Sequence, residues 1–177
     1  MAITPIDRNK IAAMLVEMGL DPIPVAEASF EWSLKFQYPV GLPANTMGVL
    51  KPKTPARALL VVTGVHLVAQ HHAAFANLDQ DDQKRFAFGL QKALLRDYVD
   101  YSIQGISPQA LTCPTGFQIT STIYDDGLTL TNLALRISSV FKAQLAGNNC
   151  VNEFLGPLEG TGGSGTFAFR RLGGAIQ

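Results

Sequence analysis

The side chains with the widest chemical range lie in one stretch, His66 to Ile103: HLVAQHHAAFANLDQDDQKRFAFGLQKALLRDYVDYSI. It holds all three histidines, His66, His71 and His72, and then Asp79, Asp81 and Asp82. Imidazoles and carboxylates in one region invite a metal site or general acid–base chemistry. The spacing argues against both. Zinc needs three or four convergent ligands, the run does not follow H-E-x-x-H, and His71 and His72 point apart if helical. An acid–base pair must face one cleft, which nothing in the spacing provides. The aspartates of DQDDQKRFAFGL, and Asp125 and Asp126 in YDDGLTLTNL, lack the alternating ligands and closing glutamate of a calcium loop. Helix capping and turn formation account for both groups. His66, His71 and His72 therefore stand as binding candidates at a helix entry, with no metal, cofactor or catalytic residue expected.

The remaining motifs are weaker. Cys113 is a nucleophile only if a histidine approaches it, and Cys113 with Cys150 makes neither a disulfide scaffold nor a zinc knuckle. GLPANTMG is not followed by GK[ST]. GTGGSG has no strand before it and no helix after it, so neither run is a phosphate loop, and Ser164 lacks the setting of a nucleophile elbow. The aromatic row Phe30, Trp32, Phe36, Tyr38 resembles a stacking platform for single-stranded nucleic acid. Its opposite face lacks the basic residues that accompany stacking, so a core face beneath helices is expected, with Phe30 and Trp32 as further binding candidates.

The elements that would position these groups follow from periodicity. Ile6, Ile11, Leu15 and Met18 recur at helical spacing, with Asp7 as cap and Gly19 as stop. DPIPVAEA reads as an extended link. Ser29–Tyr38 alternates apolar and polar residues, as in a half-buried antiparallel strand. Thr46–Leu50 is a short strand, and Ala58–Val65 is apolar throughout and so central. His66–Ala76 is ambiguous, a turn or two of helix. Asn77 or Asp79 opens a clear helix whose buried stripe is Phe86, Leu90, Ala93 and Leu94, with acidic residues at its start and Lys92 and Arg96 near its end. Gly89 in mid-helix predicts a close approach to the sheet. Val99–Ile103 and Phe117–Ile123 are two more strands. A last helix starts at Thr129 or Thr131 and runs to about Ala146, with Gly147-Asn148-Asn149 breaking it.

The expected fold is α+β: helix, three-strand antiparallel meander, helix, two strands, helix. That gives a five-stranded antiparallel sheet with helices packed on one face. Residues 1–155 are expected to form one domain, and 156–177 a flexible Gly-rich tail carrying the knot Phe167-Ala168-Phe169. The chain of 177 residues is 47% hydrophobic, with fourteen basic and fourteen acidic side chains. A net charge of zero argues against nucleic acid as an obligate partner. A charged fraction of 16% implies either that much of the surface is neutral-polar or that some apolar surface meets a partner. No run is long enough to span a bilayer and the start is not of signal-peptide type, so a cytoplasmic protein is expected.

The Val61–Val65 strand, the stretch that follows it, and then PTGFQITSTIYDDGLTLTNLALRISSVF carry a resemblance. With the first helix and strand it spans about residues 6–146. This organisation is similar to the type III secretion chaperone-like fold shared with YbjN-type proteins, and to a conserved uncharacterised, mostly prokaryotic family of this length. The resemblance implies no catalytic residue. It implies a chaperone-like assembly module that binds an extended segment of another protein, often as a homodimer. The alternatives are a small-ligand or metal-dependent enzyme using the His66–Asp79 region, and a single-stranded nucleic-acid binder.

Overall fold

Three of the four helices among the described residues start at a capping side chain. Asp7 accepts the Lys10 N–H at 3.3 Å and opens α1 (Arg8–Glu17), and Gly19 turns the chain away at φ 75°. The computed structural model describes residues 6–41, 45–55, 57–96, 98–105 and 112–157. Among these, α1 is followed by β1 (Ile23–Val25), β2 (Phe30–Gln37), β3 (Thr46–Pro52) and β4 (Ala58–His66). Then come α2 (Ala69–Ala76), α3 (Gln80–Leu94), β5 (Asp100–Gln104), β6 (Gly116–Tyr124), a single 3-10 turn and α4 (Leu130–Leu155). Asp79 caps α3 by accepting the Asp82 N–H at 2.8 Å, and Thr129 caps α4 by accepting the Asn132 N–H at 3.1 Å.

The sheet is antiparallel throughout, in the order β1-β2-β3-β4-β6-β5. Among the described residues it has six strands, which corrects the expected five. The added strand is β1, in the segment that reads as a proline-rich link. Proline is tolerated in a strand at a sheet edge, where its missing N–H breaks no ladder bond. The Ser33 hydroxyl donates to the Val25 carbonyl at 2.6 Å and ties this short strand to β2.

Helices and sheet share one core on one face, in which Ile11, Leu15, Leu34, Met47, Leu59, Ile119, Phe86, Leu90 and Ile137 are buried. Phe75, Phe86 and Phe154 join α2, α3 and α4 edge to face, each successive pair 5.8 Å apart. The Thr63 hydroxyl lies 3.2 Å from Gln144 Oε1 and crosses from β4 to α4 within this core. The opposite face carries a small cluster of Phe30, Leu50 and Val62. Phe30 belongs there because the β2–β3 register shifts between Phe30 and Trp32, and the extra residue turns Phe30 to the other side. The expected single aromatic face is thus divided, with Trp32 and Phe36 under the helices and Phe30 on the far side.

Two further expectations change. α4 continues through Gly147-Asn148-Asn149 to Leu155. A Cβ on Gly147 would lie 2.7 Å from Phe117 Cζ and 2.9 Å from Leu94 Cδ2, so this glycine lets α4 settle against β6 and α3. Burial of Cys150, Val151 and Leu155 offsets its poor helix propensity. The close approach at Gly89 is to α4, where Cys150 Sγ and Phe154 face it, and not to the sheet. The ambiguous histidine segment resolves as α2. The tail from residue 158 lies outside the described residues.

Candidate functional site

Among the described residues, helices lie on one side of the sheet and the other side is left as a groove of about 830 Å³. Strand alternation decides its lining. Leu60 pairs with Thr122 and Val62 with Thr120 across β4 and β6, while Asp100 pairs with Thr120 and Ser102 with Gln118 across β5 and β6. These residues share one face, since partners in register point the same way. Phe30, Leu60 and Val62 make an apolar end. Ser102, Gln104, Gln118, Thr120 and Thr122 supply hydroxyls and amides, and Asp100 one carboxylate. Lys53 stands at the rim, its Nζ donating to the Ala28 carbonyl at 2.7 Å.

Such a lining can hydrogen-bond and can seat apolar side chains. Neither histidine nor cysteine is among its lining residues. Periodicity alone could have marked Gln118, Thr120 and Thr122, which alternate with buried Phe117, Ile119, Ser121 and Ile123. That the described residues leave this polar side uncovered is not visible along the chain.

The expected site residues do not converge. Phe30 lines the groove, whereas Trp32 packs against the helix-covered core. His66 ends β4 opposite Gly116, half-buried, on the strand face that also carries Leu60 and Val62. His71 is buried on α2, and half-buried His72 follows it. Asp79 is spent as the α3 cap, while Asp81 and Asp82 pair with Lys84 and Arg85 at 3.3 and 2.9 Å. Asp125 is held by Arg57 through Nε at 2.8 Å and Nη2 at 2.9 Å, which keeps its carboxyl below the usual carboxylate range. Among the described residues, no group of three or more His, Cys, Asp or Glu is placed to hold a metal ion. Cys113 and Cys150 are free thiols, each pushed up to about 11 by burial, with Glu153 adding at Cys150. Both are thiols, not thiolates, at neutral pH, which argues against nucleophilic use.

A one-sided α+β protein, its antiparallel sheet covered by helices on one face and grooved on the other, is the class defined by this geometry. The chain belongs to the family described as "Uncharacterized conserved protein (DUF2299)", whose model matches residues 7–150. Its fold is similar to that in the crystal structure of an uncharacterized protein from Methanothermobacter thermautotrophicus. The TM-score is 0.73 at 20% identity, covering 84% of this chain and 99% of that one. Comparison with curated proteins returned no match. Among the described residues, no helix is long and apolar enough to cross a membrane.

Proposed function

We propose that this protein is a non-enzymatic, cytoplasmic assembly module that holds an extended segment of a partner protein in the open groove of its sheet. The observation that carries this reading is the groove lining, apolar at one end and rich in amides and hydroxyls along β5 and β6. An extended segment would place an apolar side chain on Phe30, Leu60 and Val62 and present its backbone groups to the amides and hydroxyls. The volume falls within the roughly 300–1,000 Å³ of ligand clefts. The resemblance to the type III secretion chaperone-like and YbjN-type fold points the same way, by analogy of fold alone.

The direct test is capture from native lysate by the immobilised full chain and by a Thr120→Arg variant whose folding is verified by circular dichroism and melting. Thr120 is half-buried in the groove, so an arginine there fills it without entering the helix-covered core. Wild type is expected to retain a reproducible partner identified by mass spectrometry. The variant should bind it at least about tenfold more weakly, the equivalent of about 1.4 kcal/mol. Absence of a reproducible partner, or equal capture by both chains, would remove the proposal.

A homodimer is the assembly that the sheet edges favour. β1 is three residues long and contains Pro24, a guarded edge. β5, at the other edge, contains no proline or lysine, and exposed Leu95 and Tyr98 precede it. About a two-fold axis through Ser102, a second β5 would set Asp100 against Gln104 and Tyr101 against Ile103 with no like charges opposed. Light scattering should give twice the chain mass for wild type and the single mass for Ser102→Lys, which sets two lysines face to face. A monomeric wild type at tens of micromolar would sink the β5 interface.

A further inference from the structure

We propose that His71 is an acid-sensitive latch, whose protonation frees α2 from the helical layer while the sheet, α3 and α4 stay folded. α2 is a helix of eight residues, too short to persist by itself in water. Its buried residues are His71 and Phe75. An imidazole therefore supplies one of the two buried anchors. Phe75 supplies the other by packing on Phe86.

The geometry at His71 tolerates one protonation state. Nδ1 accepts the Val68 N–H at 3.4 Å, at the cap of α2 where no side-chain oxygen does so. An accepting Nδ1 carries no proton, so the neutral ring bears its hydrogen on Nε2. Among the described residues, Nε2 is buried with no hydrogen-bond partner. Protonation would convert Nδ1 into a donor, remove the cap and leave a cation with an unpartnered N–H in a site that is 95% shielded, since His71 is 5% exposed. Burial, with His72 adding, accordingly holds the imidazole below its ordinary value near 6.5.

Among the described residues, the charged group that acts on His71 is His72, which does not relieve this. His72 repels a second positive charge. On α4, Glu153 acts on the Cys150 thiol, and at the start of α3 Asp81 and Asp82 are paired with Lys84 and Arg85. The sign is therefore fixed. Well above pH 6.5 the ring is neutral whether α2 is docked or free, and the latch is closed. As pH falls below that value the free state takes up a proton that the docked state refuses. Docking then weakens about tenfold per pH unit until the docked-state pKa is reached. Release uncovers Phe75 and the face of Phe86 it packs on, an apolar patch absent at neutral pH.

Hydrogen exchange on the full chain, expressed as protection factors so that the intrinsic pH dependence cancels, tests this directly. Between pH 7.5 and 5.5 the α2 amides of wild type should lose protection, by up to about tenfold, while those of α3 and α4 hold. His71→Gln keeps an acceptor for the Val68 N–H and cannot be charged, so its α2 protection should be the same at both pH values. A wild-type α2 indifferent to pH, or an equal loss in His71→Gln, overturns the latch. Should that variant not fold, the His71 Cε1–H resonance of wild type decides: a titration midpoint at or above 6.5 overturns the proposal, and one clearly below it supports it.

Discussion

Phe86→Ala is expected to lose about 3–5 kcal/mol of unfolding free energy, the range for removing a fully buried phenylalanine. The ring is 0% exposed and is the junction of three helices, edge to face with Phe75 of α2 and Phe154 of α4. Alanine removes apolar area and both ring contacts, and the cavity cannot close without moving α2 or α4. Against a typical total of about 5–15 kcal/mol, this is enough to bring the chain near its unfolding threshold. Urea unfolding followed by circular dichroism measures it, with an unchanged m-value showing that stability alone has moved. Phe88, two residues along and 69% exposed, is the control, and Phe88→Ala should stay within about 0.5 kcal/mol. Equal losses at the two positions would mean that α3 presents a different face to the core.

Gly116→Ala should also destabilise, by about 3 kcal/mol, the upper end for overpacking. Gly116 opens β6 opposite His66, and a Cβ there would run into the Val65 carbonyl oxygen. Val65 C and His66 Cα lie 3.3 Å from the same point, so the obstacle is backbone and not a side chain that can rotate away. β4 and β6 are paired along the whole nine-residue length of β4, so relief requires breaking the end of that ladder. Thermal melting measures the loss, and amide shifts at Val65 and His66 locate it. Gln118→Ala, on the groove face of the same strand, should melt close to wild type. If Gly116→Ala does so too, the register of the two central strands is not the one described.

Much of this architecture is legible along the chain because its causes are local. Asp7, Asp79 and Thr129 cap their helices within three residues, and the Phe86, Leu90 and Leu94 stripe is buried as its spacing requires. What was not legible depends on neighbours distant in sequence. β1 exists because β2 lies beside it and offers the Ser33 hydroxyl, and no periodicity shows in three residues. Phe30 leaves the aromatic row because the pairing with β3 takes up an extra residue between Phe30 and Trp32. Gly147 reads as a helix breaker until Phe117 and Leu94 are seen against it.

The same division holds for the candidate site. By its own composition and spacing the sequence determined an α+β chain with capped helices, alternating strands and no ligand pattern for a metal. Those features rest on contacts within a few residues, which spacing encodes. Tertiary structure alone decided which strand faces stay open, and so placed Phe30, Ser102 and Thr120 in one groove. It also buried His71 on α2 while leaving His66 half-buried at the end of β4. Burial and register are properties of two segments at once, and a linear pattern carries information about one at a time.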